Sequence, residues 1–401
     1  MIFIVKSLVK FISISFVILI KVVLLQKILE NAFYLKIVMK NYRISLKFFF
    51  CVTAILLSLT TFAGHGHSED KEFSPTDLIN DHIGDSHDFH IADWNGHPIS
   101  FSLPIILWSD KGLEIFSSKI FHHDNTGTHV AEVNGQRYVK YNEVIYYADK
   151  FPTLTEEQKS GMVNGFNFAE RPLNFSITKN AFSMFLSVFL ILILFITAAR
   201  SYSKNKMAPK GLAGFLEPLV LFVRDDIAIP NIGVKNYAKY MPYLLTIFFF
   251  IWVNNLIGLI PFFPFSSNLT GNIYFTFVLA FITFLVTIFS AKKDYWAHIF
   301  TPPVPKALYP IMIPVEIIGM FTKPFALMIR LFANITAGHI IILSLISLIY
   351  IFKTAWISPV SGAFVLFMSV LELLVAALQA YVFTLLSALF IGQAIEEHDH
   401  H

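Results

Sequence analysis

Polar side chains that could carry a proton or hold a fixed charge interrupt a long apolar part of the sequence. Arg330, Asn334 and His339 occur in the segment MIRLFANITAGH, within an apolar run at 311–352. A charged side chain at the centre of a bilayer costs roughly 2.5 to 3.5 kcal/mol on insertion scales, so such residues usually face protein or water and mark an ion path. The segment therefore predicts a site of ion transfer inside a membrane.

Heptad spacing adds further polar residues to this site. Glu316, Lys323 and Arg330 are seven residues apart and Asn334 follows four later. At 100° per residue, these four side chains share one face of a helix and form a charged stripe. His339 comes nine residues after Arg330, about 180° around the same helix, and so addresses a different surface.

A second long apolar run carries a matching polar pair. Glu372 and Gln379 are seven residues apart, and the small residues that flank them are Ser369, Ala376 and Ala380. Small side chains let another helix approach closely. The two long runs are therefore predicted to meet at this point.

A purely structural alternative is that the charges form buried ion pairs that only fix the packing. The pairs would be Glu316 with Lys323, and His339 with Glu372. Replacing a buried ion pair by apolar residues of similar size is often neutral or stabilising, so stability alone is a weak reason for such pairs. The ion path is the favoured interpretation. Lys323, Asn254 and Asn255 are candidate accessory residues, and for the two asparagines a structural role is equally favoured.

The composition is that of a polytopic membrane protein. Of the 401 residues, 55% are hydrophobic and 14% are charged, and the formal net charge is +3. A charge this small and dispersed argues against nucleic acid as a partner, and the basic residues instead lie beside apolar runs, where they orient the chain in a bilayer.

Five apolar runs are long enough to cross a membrane. Three have about the 20 residues that cover roughly 30 Å of hydrocarbon, and two are nearly twice as long, so that a straight helix would have to tilt by about 60°. The runs are 181–199, 243–263, 272–291, 311–352 and 359–395. The short linker between the last two predicts a hairpin. The predicted fold is an all-α membrane protein with five transmembrane helices, the last two strongly tilted, and a small β-rich exported N-terminal domain.

The basic residues predict the orientation. One cluster follows the first run and another follows the third, whereas the connection 264–271 has no charge. The clusters are Arg200, Lys204, Lys206 and Lys210, and Lys292, Lys293 and Lys306. Because basic loops stay in the cytoplasm, the N-terminal domain is expected outside and the tail 397–401 inside. The segment 211–224 is predicted to be an interfacial helix on the cytoplasmic side, despite Pro218.

The N-terminal part carries targeting signals. A basic region that starts at Met39 precedes a short apolar core, so 39–64 is predicted to be a signal peptide, and 1–38 an extension of the gene model or an extra apolar anchor. The only cysteine, Cys51, lies in the apolar core of that signal. No disulfide framework is expected.

The region 65–179 is expected to be β-rich, because short alternating stretches flank a hairpin signal at Asn134-Gly135. Several of its histidines lie near aspartates and could bind a transition metal. These residues are His82, His87, His90 and His97, with Asp85, Asp88 and Asp93. Their spacing matches no recognised site, so a solvated polar segment is favoured and no metal or other cofactor is predicted.

The transmembrane motifs resemble those of subunit a of the F-type ATP synthase. The similarity covers about 170–395 and rests on RLFANITAGH, preceded by TKP and Glu316, on LELLVAALQAYVF, and on WVNNLIGLIPF in the second run. The resemblance implies that Arg330 faces a rotating ring of c subunits, between two aqueous half-channels. It also implies that the proton path is lined by Glu316, Asn334, His339, Glu372 and Gln379.

The resemblance also implies the partners and the location: the c ring, the b-subunit peripheral stalk, the F1 sector, membrane lipid and protons, in a bacterial inner membrane. No GxxxxGK[ST] motif occurs, so ATP chemistry is expected on partner subunits and the chain is not itself an enzyme. Two alternatives remain: a proton-coupled secondary transporter, which would favour paired repeats with broken helices, and a structural anchor, which would not need Arg330. The sequence leaves open whether the ion is H⁺ or Na⁺.

Overall fold

The computed structural model of the chain describes residues 84–94, 97–153, 171–204, 211–260, 264–265, 267–302, 304–352 and 357–396. The predicted signal peptide, the segment before it and the tail 397–401 lie outside these residues, as does His82. The side chains of His90, Asp93 and His97 are also outside the description.

Short antiparallel strands form the N-terminal part. In chain order they are β1 (Asp88–Trp94), β2 (His97–Ser102), β3 (Pro104–Ser109), β4 (Gly112–Ser117), β5 (Thr126–Val133), β6 (Gln136–Tyr141), β7 (Val144–Tyr147) and β8 (Leu173–Asn174). They pair as β1-β2, as β4-β3-β8 and as β5-β6-β7. The hairpin signal is confirmed, because Asn134 and Gly135 connect β5 to β6 with φ values of 50° and 72°, the left-handed conformation that a type I′ turn requires.

Alternation along the strands builds a small core in this β-rich part. Ile105 and Leu107 on β3 are fully buried, and they pack in one cluster with Phe121 and Tyr138. Trp108 lies between the buried residues Leu107 and Ser109 of the same strand and is 57% exposed. The two-residue period of a strand therefore separates a core face from an outer face.

Helices form the remainder of the described chain. They are α1 (Lys179–Lys204), α2 (Leu212–Phe222), α3 (Ile229–Ile232), α4 (Tyr237–Gly258), α5 (Ile273–Ser290), α6 (Lys293–Phe300), α7 (Tyr309–Phe352) and α8 (Ile357–Ile395), with a π-helical turn at Val223–Ala228 between α2 and α3. Within the described residues, five helices are long and apolar enough to cross a membrane, namely α1, α4, α5, α7 and α8. The five predicted spans are thus confirmed.

Several helices begin or end at other residues than the predicted runs. The run predicted at 243–263 is a helix that begins at Tyr237 and ends at Gly258. It begins earlier although Pro242, in its second turn, removes one backbone hydrogen bond. It ends shortly before Pro261, which disfavours the helical conformation at the residue before it. The last run was predicted to begin at 359, but α8 already begins at Ile357.

Helix α4 is the centre of the helical part. In its most apolar stretch 72% of the residues are buried, compared with 17% for α7 and 22% for α8. Helix α4 packs against α1 and α8, while α7 packs against α8 and α5. The two longest helices therefore leave most of their surface open on one side of the molecule.

The end of α8 is held by two backbone contacts. Gly392 lies so close to the carbonyl of Asn231, in α3, that a Cβ atom at this glycine would overlap it. Two residues later, the Ala394 carbonyl accepts a hydrogen bond of 2.9 Å from the Lys292 N–H, at the junction of α5 and α6. Glycine at 392 is thus required by the close approach of another backbone.

Candidate functional site

A histidine and a carboxylate from the two long helices form the centre of the site. His339 Nδ1 on α7 contacts Glu372 Oε1 on α8, and the two side chains are only 13% and 5% exposed. The expectation that the two long runs meet through these polar residues is therefore met in the structure. The other nitrogen of the imidazole, Nε2, points away from the carboxylate and remains able to exchange a proton.

Small residues let the two helices approach at this pair. A Cβ atom at Gly338 would lie 3.0 Å from Glu372 Oε1, so the glycine makes room for the carboxylate. On the other helix, Ala376 and Ala380 are 1% and 0% exposed. The predicted close packing along this face of α8 is observed, and Gln379 is buried there as well, at 4% exposure.

Asn255 on α4 ties three elements together beside the pair. Its Nδ2 donates to the Ala376 carbonyl at 3.1 Å, and its Oδ1 accepts a 2.7 Å hydrogen bond from the Thr270 hydroxyl. The neighbouring Asn254 donates to the Phe250 carbonyl, and its buried Oδ1 has no partner among the described residues. Asn255 thus connects α4 to α8 and to Thr270, whereas Asn254 presents an acceptor without a partner among the described residues.

Gly258, at the end of α4, lies between the pair and the connection to α5. A Cβ atom there would be 3.2 Å from the Ser267 carbonyl oxygen and 3.8 Å from His339 Nε2. The free nitrogen of the imidazole therefore faces the α4–α5 connection. From the sequence, this connection was interpreted only by its lack of charge, so Ser267 and Thr270 were not predicted as site residues, and neither was Gly258. The run of small polar residues in 264–271 was the signal that could have identified Ser267 and Thr270.

Arg330 and Asn334 lie on the open side of α7, and both are exposed. Within the part of the chain that the structure describes, Arg330 makes no hydrogen bond or ion pair. Other exposed side chains of α7 near it in the sequence are apolar, including Phe325 at 59% and Ile329 at 38%. A cation without a partner among the described residues therefore projects from an apolar stretch of the helix.

The predicted charged stripe divides into two parts. Glu316 and Lys323 are half-buried, unlike the exposed Arg330. Lys323 Nζ donates a 2.9 Å hydrogen bond to Gln393 Oε1 near the end of α8, and it lies 5.5 Å from the centre of the Phe390 ring. The cation of Lys323 is thus held within the protein, whereas that of Arg330 is not.

The β-rich part holds its own charges in a tight cluster. Glu143 Oε2 accepts a hydrogen bond of 2.9 Å from the backbone N–H of His87 and lies 2.8 Å from Nδ1 of the same histidine. Lys140 Nζ lies 3.1 Å from Glu143 Oε1. Burial would raise the pKa of Glu143, but these partners outweigh it and bring the pKa down to about 2. Over the described residues, no group of three or more metal-ligating side chains could hold a metal ion.

These features define a class of protein. The described residues contain five membrane-length helices, a buried histidine–carboxylate pair and an exposed arginine that has no partner among them, which is typical of a membrane protein that moves ions between sites. A family described as ATP synthase A chain matches residues 181–392. The chain belongs to the ATP synthase A chain family.

Relatives named ATP synthase subunit a match more than half of the chain. The chain is 51% identical over 232 residues to ATP synthase subunit a of Chloroherpeton thalassium, covering 56% of this chain and 68% of that protein. It is 50% identical over 234 residues to ATP synthase subunit a 2 of Chlorobaculum tepidum, covering 56% and 65%. It is 43% identical over 259 residues to ATP synthase subunit a of Myxococcus xanthus, covering 62% and 82%.

The family assignment decides between the function classes. Its members form the stationary part of the proton channel and carry no catalytic site for ATP, so the transporter alternative is not supported. A second family, described as a domain of unknown function (DUF8433), matches residues 78–175, a range that includes most of the β-rich part.

Proposed function

We propose that this chain is the stator subunit of the proton channel in an F-type ATP synthase, with Arg330 facing a ring of c subunits and His339 and Glu372 passing protons to it. The observation that carries the proposal is the contrast between an exposed, unpaired arginine and a buried histidine–carboxylate pair on one hairpin. An unpaired cation facing lipid alone is costly. It therefore supports a negatively charged partner surface at this side of α7.

The histidine and the carboxylate act as a relay in one half-channel. A neutral imidazole can accept a proton at Nε2 while it releases one from Nδ1, so a proton that arrives at His339 can leave toward Glu372. A proton that leaves the pair neutralises a carboxylate on the ring, which can then move into lipid.

Arg330 acts on ring carboxylates that have completed the turn. Its guanidinium group does not lose its proton, and a nearby cation favours the ionised form of a carboxylate. Each arriving carboxylate must therefore release its proton into the second half-channel, and the cation blocks direct leakage between the two. A potential of 100 mV supplies about 2.3 kcal/mol for each proton that follows this path.

The remaining site residues complete the path. Glu316 and His339 are 23 residues apart on α7, so they are separated by about 35 Å along the helix and lie on either side of Arg330 in the sequence. We assign them to opposite half-channels. Asn334 lies beside Arg330, Gln379 lines the buried side, and Lys323, Asn254 and Asn255 support the path from within the bundle.

The arrangement in the membrane follows from length and charge. Helix α7 has 44 residues and would be about 66 Å long, so we propose that α7 and α8 lie strongly tilted along the ring. The β-rich part is proposed to be periplasmic and the C-terminus cytoplasmic. The proposed partners are the c ring, the b-subunit peripheral stalk and the F1 sector.

The proposed processing can be tested separately. If 39–64 is a signal peptide, mature protein begins near Ala63. N-terminal sequencing of the subunit from purified membranes would check this, and recovery of intact Met1 would contradict it.

Substitution of Arg330 by alanine tests the proposed function. We expect Arg330→Ala to abolish proton-driven ATP synthesis while the subunit still assembles, and to permit passive proton flow in vesicles from which the catalytic head has been stripped. The matched control is Lys235→Ala, which removes another exposed cation from the loop before α4. Co-purification of the ring establishes assembly. Normal synthesis in an assembled Arg330→Ala complex would contradict the proposed role of the arginine.

A further inference from the structure

We propose that Asp85, in the β-rich part, is the outermost proton-carrying group on the path to His339 and Glu372. The inference rests on the proposed function, because it needs the pair to be a relay and the β-rich part to lie at the outer side. It adds a residue from a region outside the ATP synthase A chain match, and it gives the β-rich part a role in the channel.

The first link joins the β-rich part to α1. Asp85 Oδ1 accepts a hydrogen bond of 3.0 Å from the N–H of Asn180, in the first turn of the helix. The neighbouring Lys179 N–H donates to the Ser86 carbonyl at 2.8 Å, and the Phe89 ring lies edge-on to the Phe182 ring at 5.5 Å. The carboxylate is thus fixed at the beginning of α1.

The second link joins α1 to the connection between α4 and α5. Asn180 Oδ1 accepts a hydrogen bond of 2.6 Å from the Ser267 hydroxyl. Asn180 is 6% exposed and Ser267 is 0% exposed, so this is a buried polar contact rather than a surface one. Asn180 therefore bonds to Asp85 through its backbone N–H and to Ser267 through its side-chain oxygen.

The third link reaches the relay. The Ser267 carbonyl oxygen and His339 Nε2 both lie within 4 Å of the same point, the position that a Cβ atom would occupy at Gly258. Because position 258 has no side chain, one water molecule could bridge the carbonyl and the imidazole. Two hydrogen bonds and one gap beside Gly258 thus line the path from Asp85 to the histidine.

Unsatisfied polar atoms occur on the same elements. Among the described residues, the buried side-chain atoms without a hydrogen-bond partner include Ser183 Oγ on α1, Asn254 Oδ1 on α4 and Asn268 Nδ2 in the connection. Ser183 follows Asn180 by three residues and so lies on the same face of the helix. Buried polar groups almost always bond to protein or to ordered water. These atoms supply the donors and acceptors that a chain of water molecules requires.

The surroundings of Asp85 suit a group that takes up and releases protons. Burial raises the pKa of Asp85, although the Asn180 N–H, the Thr178 hydroxyl and the charges of Lys179 and His87 oppose this effect. A raised pKa brings a carboxyl group closer to the working pH, where proton transfer is most effective. The carboxylate takes up a proton from the outer water, passes it to water molecules beside Asn180 and Ser267, and returns to its ionised form. The amide and carbonyl groups orient this water, which carries the proton on toward His339 Nε2.

A conservative substitution separates this role from a structural one. Asp85→Asn keeps an oxygen that can accept from the Asn180 N–H but cannot carry a proton, whereas Asp85→Glu keeps a carboxyl group. The matched control is Asp110→Asn, an exposed aspartate at the turn between β3 and β4. Passive proton flow is measured in stripped vesicles under an imposed potential, over a range of pH on the side of the β-rich part.

We expect Asp85→Asn to reduce proton flow several-fold at neutral and alkaline pH, where protons are scarce, and to approach the unsubstituted protein at acid pH. Asp85→Glu and Asp110→Asn should keep the original profile. An assembled Asp85→Asn complex with an unchanged profile at every pH would overturn the proposal. A purely structural role would reduce assembly without changing the shape of the profile, and that result would also overturn it.

A second variant decides the matter if Asp85→Asn does not assemble. Gly258→Ala places a methyl group where the Ser267 carbonyl and the imidazole converge. Reduced flow is expected, and unchanged flow would overturn the path. Arg330→Ala is measured in the same vesicles: if it behaves as expected while the Asp85 and Gly258 variants remain unchanged, only the inference about the path fails. Normal synthesis with Arg330→Ala would instead contradict the proposed function itself.

Discussion

Two polar sites nine residues apart on α7 have opposite surroundings. Arg330 is exposed on an apolar surface and has no partner among the described residues, whereas His339 is packed against Glu372 between two helices. Both interrupt the same apolar run, so sequence context alone does not distinguish them. The difference suggests that one site is completed by another subunit and the other is complete within the chain.

The largest effect is expected when Arg330, which forms the open site, is replaced by a different side chain of the same charge. Lysine can lose its proton when desolvated and lacks the planar fork that binds carboxylates, so Arg330→Lys should abolish coupled ATP synthesis. Synthesis by assembled complexes in energised vesicles checks this. Wild-type rates would mean that any positive charge suffices, and the contrast between the two sites would lose its chemical basis.

The pair of His339 and Glu372, which forms the closed site, should need both of its side chains. Glu372→Gln removes a protonatable group and should reduce synthesis severely. The exchanged pair, His339→Glu with Glu372→His, restores one imidazole and one carboxyl group and should recover part of the activity, because groups in direct contact couple by about 0.5 to 3 kcal/mol. A double variant that is worse than either single change would show that the two side chains do not act together.

A smaller effect is expected from crowding the closed site. Gly338→Ala places a methyl group 3.0 Å from Glu372 Oε1 and should displace the carboxylate from His339, lowering synthesis without abolishing it. Gly362→Ala on α8 is the matched control, because a Cβ atom there has no neighbour within 4 Å. Proton-driven synthesis at equal assembly compares the two variants. Equal rates would indicate that the pair tolerates displacement.

The mildest effect concerns a charge pair outside the membrane helices. The pKa of Glu143 is about 2, below its ordinary value of 4.5, so its ionised form stabilises the fold above pH 4.5 and this contribution is lost as the pH falls toward 2. Glu143→Gln should remove this dependence at a cost of about 3 kcal/mol near neutral pH. Hydrogen exchange of peptides from 97–153 in the intact complex measures it. A pH dependence that persists in the variant would assign it to other carboxylates.

Local signals account for what the sequence predicted correctly. Run length identified five membrane helices, and the small residues around Glu372 predicted that α8 would approach α7 there. The spacing of Arg330, Lys323 and Glu316 indicated a shared face, but it could not show that Gln393 binds Lys323 while the arginine stays open. That distinction depends on a residue 70 positions away.

Long-range contacts account for what the sequence could not predict. Asp85 and Asn180 are 95 positions apart, and Asn180 and Ser267 are 87 apart. Neither contact has a periodicity or a motif, because each depends on how separately formed elements dock. For the same reason Asn255 was identified only as a polar residue in a span, although it binds both Ala376 and Thr270.

The backbone contacts at the end of α8 have a mechanical consequence. A stationary subunit beside a turning ring must withstand a sideways load, and a long helix that is open on one side is easily bent. Gly392 against Asn231, and the hydrogen bond from Lys292 to Ala394, clamp α8 at one end to two other parts of the bundle. A push on the exposed surface would therefore be borne by α3 and by the α5–α6 corner rather than by a free helix end.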